Sequence, residues 1–196
     1  MEHNISLTCV RYRLRPVTLE DAAFIVELRS DPLLNRYLHE ISPRVEDQVA
    51  WLNRYFARPD DYYFIVEDAD SGERHGAIGI YDLEKDGASA QWGRWILKHG
   101  SMAALESVWL ICEVGFSRLR LASLSSRTLV ENPRVVSFHD SFGASRAAIL
   151  QDHFLVRGER KTAIEHRVTS ADWPALRSRH YSTVCRLARR TQIAKG

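Results

Sequence analysis

Residues Trp95 to Trp109 read WILKHGSMAALESVW: a run of apolar strand formers, one glycine, small residues, then an apolar helix. A strand that turns at a glycine into a helix is suited to hold an anion. The first-turn N–H groups have no acceptor within the helix and form the positive end of its dipole. A phosphate-cradling loop usually carries two or three glycines, and this one carries only Gly100. The stretch therefore reads in two ways: as an anion seat, or as a plain helix start with Ser101 as N-cap.

The segments on either side set its context. After Gly100 the pattern predicts a helix to about Leu119 that is apolar on nearly every side, a helix covered by sheet. Before it, YYFIVED (62–68), HGAIGIYDL (75–83) and ASAQWGRWILK (88–98) read as three strands split by the turns DADSGER and EKDG. Earlier still, Cys9 to Pro16 alternates apolar and basic residues as a half-buried strand does. Thr18 with Asp21 opens a helix through LEDAAFIVELR. A second helix follows, with Val45, Val49, Leu52 and Phe56 at helical spacing. After the central helix come the strand SLSSRTLV and a short helix opened by ENPRVV and closed at Gly143. Two strands near ILQDHFLV and KTAIEHRVT follow, then a basic C-terminal helix with Trp173, Leu176, His180, Val184 and Leu187 on one side. This order predicts an α/β (α+β) domain built on one layer of sheet.

Composition narrows the class. The chain has 196 residues, 45% hydrophobic and 27% charged, which suits one domain with an ordinary core. A net charge of +2 gives no bulk case for nucleic acid. No apolar run approaches the roughly 20 residues of a membrane span, and the N-terminus lacks an apolar signal core. Cys9, Cys112 and Cys185 show neither metal spacing nor a disulfide framework, so the expectation is a cytoplasmic protein without a metal.

Four stretches in order resemble the GNAT acetyltransferase superfamily, and within it the Rim-type branch: RYRLRPVTLEDAAFIVELRSDPLLNRYL, AQWGRWI, ENPRVVSFHDSFGA and IEHRVTSADW. The resemblance covers about residues 10–173. It implies a GNAT domain over 1–173 and a basic helical extension over 174–196. It also implies a mixed, mostly antiparallel sheet splayed between its fourth and fifth strands. In such enzymes the pantetheine arm of acetyl-CoA lies in the splay and pairs with fourth-strand backbone, here around Trp95, Ile96 and Lys98. Its pyrophosphate sits at the next helix start, here Lys98, His99, Gly100, Ser101, Met102, Ala103 and Ala104. Ser101 stands where the family has a glycine. Asn132 falls where the family directs an Asn side chain at the pantetheine, with Phe138 beside it. His139 falls where many members place the Tyr that protonates the departing thiolate. A histidine can donate a proton there, and it can equally be a core-edge residue. Gln91 stands where the branch often has a Glu base, so the base is sought elsewhere: His39, Glu40 or Asp82.

The acceptor implied is a small-molecule amine. The run LRSDPLLNRYLHEISPRVEDQVAWL is similar to the start of bacterial aminosugar N-acetyltransferases that act on UDP-linked 4-amino sugars of surface-glycan pathways. It places Tyr37, Tyr81 and Gln91 on the acceptor side. Two other readings stay open: a Rim-like acetyltransferase of protein N-termini, and a GNAT-fold binding module that has lost catalysis. A homodimer is compatible with each.

Overall fold

The structure, a computed structural model, describes residues 3–84 and 87–193. Lys85 and Asp86 of the EKDG turn and the last three residues of the expected extension lie outside them. In chain order the elements are β1 (Leu7–Thr8), β2 (Tyr12–Pro16), α1 (Ala22–Ser30), α2 (Val45–Phe56), β3 (Tyr62–Asp68), β4 (Arg74–Tyr81), β5 (Ser89–Leu97), α3 (Ala104–Glu113), β6 (Ser123–Leu129), α4 (Pro133–Phe142), β7 (Ser145–Val156), β8 (Glu159–Thr169) and α5 (Trp173–Ile193). Among the described residues the eight strands form one sheet in the order β1-β2-β3-β4-β5-β6-β8-β7. Every pairing is antiparallel except β5 with β6.

Helices cover both faces, which explains why β3 and β4 read as nearly continuous apolar runs. On one face Tyr12, Leu14, Phe64, Ile78, Ile80 and Trp92 pack with Val108, Leu110, Ile111 and Trp173 of α3 and α5. On the other, Tyr63, Ile65, Ala77 and Ile96 pack with Phe24, Ile25, Leu28 and Leu52 of α1 and α2. Each Val, Leu, Ile or Phe among them contributes about 1.5–3 kcal/mol on burial.

The entry to α1 follows the sequence signal. Thr18 and Asp21 form a capping box, and Asp21 is buried against the Arg15 guanidinium at 2.7 and 2.8 Å.

Three local expectations are corrected and a fourth is refined. The strand expected from Cys9 begins at Tyr12, as β2, because buried Glu106 of α3 accepts the Val10, Arg11 and Tyr12 N–H groups at 2.7–2.8 Å and bends the chain there. In α2 the buried residues are Leu52 and Tyr55, whereas Val45 is 38% exposed. The helix that opens with α3 runs to Arg118, close to the expected Leu119, but it is α-helical only to Glu113 and widens into a π turn over Val114–Arg118. On α5, Trp173, Leu176, His180 and Val184 are buried, but Leu187 is 38% exposed.

α5 is tied closely to its neighbours. The Trp109 indole donates to the Arg177 carbonyl at 3.1 Å, Arg177 pairs with Glu113 at 2.7 Å, and His180 reaches the Phe142 carbonyl at 2.7 Å.

Candidate active site

β5 pairs with β6 only through Ser89, Ala90 and Gln91, opposite Ser123, Leu124 and Ser125. Beyond Gln91 the two strands diverge, and β5 keeps a partner on its β4 side alone. Its other backbone edge faces a gap, where polar groups need an outside partner. Gln91, which is part-buried, therefore stands at the apex of the V, flanked by Tyr81 on β4 and Ser125 on β6.

A β-bulge shapes the same strand. Between Gly93, opposite Gly79, and Ile96, opposite Ala77, β5 carries one residue more than β4. The extra residue is accommodated at Arg94, whose φ is +51°. The shift sends Trp95 to the α3 and α4 face. There its ring lies 5.1 Å from Phe138 and its N–H donates to Ser107 at 3.1 Å. Gly93 leaves room for Tyr81 at this crossing, because a Cβ there would press on the Tyr81 hydroxyl and force that side chain to shift. The Arg94 guanidinium lies 4.5 Å over the Tyr81 ring. It also makes a bidentate pair with buried Asp61, 2.8 Å at Nη2.

The gap opens into a cleft of about 310 Å³. Of the residues singled out from sequence, Tyr37, His39, Tyr81, Asn132 and His139 line it together. Arg29, Arg94, Arg127 and Ser126 line it as well, and the sequence reading missed them. The Ser126 hydroxyl is buried with no partner among the described residues. A second cavity, about 290 Å³ between His3, Val17 and Tyr55, lies away from the splay.

The remaining expected residues sit elsewhere. Glu40 is outside the cleft, its side chain 73% exposed and 3.6 Å from Arg157 at the β7–β8 turn. Asp82 follows Tyr81 with a φ of +51° and is likewise not part of the lining. Phe138 is part-buried behind Trp95. Ile96 is buried with its side chain on the α1 and α2 face.

Lys98 to Ala104 lie past the end of the cleft. Lys98 to Ser101 form a turn closed by Ser101 N–H to Lys98 C=O at 3.2 Å, with Gly100 at φ +72°. Nothing lies within 4 Å of where a Cβ at Gly100 would be, so the glycine serves the backbone angle. The Ser101 hydroxyl accepts the Ala103 N–H at 3.2 Å and also meets buried His75 at 3.1 Å. The helix itself begins at Ala104, with Ala103 as N-cap. Lys98 pairs with Glu73, His99 lies 3.0 Å from Asp31, and Met102 is exposed.

Asn132 caps α4, its side-chain oxygen accepting the Val135 N–H at 3.4 Å. Its side-chain amide N–H groups stay available to a ligand. His139 stands on the buried face of α4 with Val136 and Phe142, its ring 5.3 Å from Trp92 and 5.0 Å from His166. Burial, and then the charge of His166, push its pKa down to about 4. The ring is therefore neutral at pH 7, which weakens it as a source of protons. Burial and the Arg29 charge also lower His39, leaving it neutral and able to accept a proton.

A family model, the acetyltransferase (GNAT) domain, matches residues 11–145. The chain belongs to the GNAT acetyltransferases. Among solved structures, this GNAT chain is similar to apo FdhC, described as a nucleotide-linked sugar GNAT. The identity is 28%, covering 91% of this chain and 97% of that one, with a TM-score of 0.77. A mutant of the spermidine N-acetyltransferase SpeG from Vibrio cholerae shares the fold at 18% identity and a TM-score of 0.72, covering 83% of this chain and 96% of that one. An uncharacterized N-acetyltransferase, p20, of Bacillus licheniformis is 23% identical over 155 residues, 76% of this chain and 86% of that protein. The GNAT fold accounts for the V between β5 and β6, and GNAT membership makes the chain an acyltransferase.

Proposed function

We propose that this chain transfers the acetyl group of acetyl-CoA to the primary amine of a nucleotide-linked 4-amino sugar, by direct attack in a ternary complex. The observation that carries the reading is the cleft running through the V, which brings the free edge of β5 and Asn132 together with Tyr37, His39 and Tyr81. The likeness to FdhC supports a sugar-linked acceptor, and the aromatic rings of Tyr37 and Tyr81 suit a sugar or a base.

The residues present fit acetyl-CoA. The unpaired edge of β5 past Gln91 and the orphaned Ser126 hydroxyl offer hydrogen bonds to the two amides of a pantetheine arm. The first-turn N–H groups of α3 offer charge-assisted bonds to its diphosphate. Ser101 already takes one amide, that of Ala103, so this seat is narrower than one built on glycines. When bound, the thioester supplies an activated acyl carbon.

The amine must lose one proton to become an amide, and the thiolate must gain one, so the reaction releases none overall. His39, neutral and in the cleft, takes the amine proton. His139 on the α4 side is neutral at pH 7 and so is not the source of the thiolate's proton; the proton that His39 takes is the one the thiolate would regain, through water. Holding both reactants in one cleft supplies much of the rate, since direct aminolysis of a thioester needs little base assistance.

The test begins with thermal unfolding in acetyl-CoA, which should raise the melting temperature by linkage. Ser101→Glu should remove that rise by setting a carboxylate against the diphosphate. A thiol-release assay with UDP- and dTDP-linked amino sugars, N-terminal peptides and polyamines follows. Turnover of peptides and not of sugars would replace this reading with a protein acetyltransferase. Stabilisation without turnover of any acceptor would leave a binding module.

A further inference from the structure

The cleft carries an unbalanced positive charge at its α1 end. Three arginines line it, and among the described residues no Asp or Glu does. Two of the three are neutralised from behind. Arg94 is held by Asp61, and Arg127 by Glu165 at 3.0 Å.

Arg29 differs from both. Its Nη2 donates to the His39 carbonyl at 2.8 Å, and its buried Nε has no acceptor among the described residues. Among the described residues no carboxylate pairs with it. Burial without a counter-ion lowers its pKa. Arg29 sits in the last turn of α1, where the helix dipole eases the charge, but that dipole provides no acceptor for Nε. An unsatisfied guanidinium N–H beside a ligand-sized cleft is costly in the free protein. The cost is recovered if an anion completes the set of partners.

We infer that Arg29 binds the diphosphate of the acceptor, and that the amine enters from that anchored end. The inference rests on the nucleotide-linked reading above and adds to it the residue that reads the charge. The planar guanidinium fork matches a phosphate better than a point charge does. The same lining disfavours a polyamine, because a polycation would meet the uncompensated charge of Arg29 and no carboxylate among the described lining residues. The other diphosphate in the reaction belongs to acetyl-CoA. Its expected seat, Lys98 to Ala104, shares no residue with the cleft that Arg29 lines.

The experiment is calorimetric titration of UDP, dTDP, uridine and acetyl-CoA into the wild-type chain, Arg29→Gln and Arg29→Lys. The wild type is expected to bind at least one nucleoside diphosphate, and more tightly than uridine. Arg29→Gln should weaken that binding by about tenfold or more, about 1.4 kcal/mol. Its affinity for acetyl-CoA should stay within about twofold, which also shows that the variant is folded. Arg29→Lys, which keeps the charge and loses the fork, should fall between, and it carries the test if the Gln variant does not fold. Equal loss of acetyl-CoA binding would assign Arg29 to the cofactor and overturn the inference. Unchanged nucleoside diphosphate binding in Arg29→Gln would overturn it while leaving the nucleotide-linked acceptor standing. No binding of either diphosphate by the wild type would overturn both.

Discussion

His139 should make the protein less stable in mild acid, by an amount that the structure sets. Its imidazole is 2% exposed and its pKa falls from the ordinary 6.5 to about 4. The unfolded chain titrates near the ordinary value, so between the two values it binds a proton that the folded chain refuses. The contribution of His139 to stability is therefore complete above pH 6.5 and is lost as pH falls through about 4. A shift of about 2.5 units is worth roughly 3 kcal/mol in full, and about 2 kcal/mol of it is lost between about pH 7.5 and pH 5. The assay is urea unfolding of the wild type and His139→Phe at both pH values. His75, His166 and His180 are also lowered by burial, but they remain in both proteins and largely cancel in the difference. The wild type should lose about 2 kcal/mol more than the variant over that interval. Equal losses, within about 0.5 kcal/mol, would mean that His139 titrates normally in the fold and that its burial has no electrostatic consequence. The same value bears on catalysis. At pH 7 only about 0.1% of His139 would be imidazolium. Any loss of turnover in His139→Phe should then be flat across neutral pH.

Two further substitutions test the frame of the site. Glu106→Ala strands three backbone N–H groups and should cost about 3 kcal/mol or more in urea unfolding, while Glu106→Gln, which keeps an accepting oxygen, should cost clearly less. Arg94→Ala leaves buried Asp61 without its counter-ion and should cost about 3–5 kcal/mol, part of which Asp61→Asn should restore in the double variant.

The element order was legible because strand alternation, the Thr18–Asp21 box and the Asn132–Pro133 opening are local signals. Asn132 and Gly143 bounded α4 correctly for the same reason. The V between β5 and β6 is a tertiary event, and only the resemblance to GNAT enzymes anticipated it. Arg29, Arg94 and Arg127 were missed because an arginine in a helix or strand ordinarily marks the solvent side. What distinguishes them is which carboxylate stands behind each, and that depends on contacts far along the chain. Arg94 at positive φ carries no sequence signal, since non-glycine residues rarely adopt it. The burial of His139 was readable in part: Val136, His139 and Phe142 recur at threes, on the face that Phe142 already marked as apolar.

The bulge in β5 makes the wall of the cleft depend on chain length as well as on residue identity. Side chains alternate along a strand, so one residue more or fewer reverses everything beyond it. Inserting one residue after Arg94, with the bulge kept, would set Trp95 opposite Ala77 and exchange the faces of Trp95 and Ile96. The indole would be drawn from Phe138 and Ser107, and an isoleucine would take its place beside α4. Every residue after the insertion would keep its identity while its neighbours changed. The turn at Gly72, with nothing within 4 Å of its Cβ position, is where a lost or gained residue would be absorbed instead. Insertions and deletions should therefore be far less evenly tolerated along this sheet than substitutions, with the sharpest intolerance confined to the few residues around Arg94.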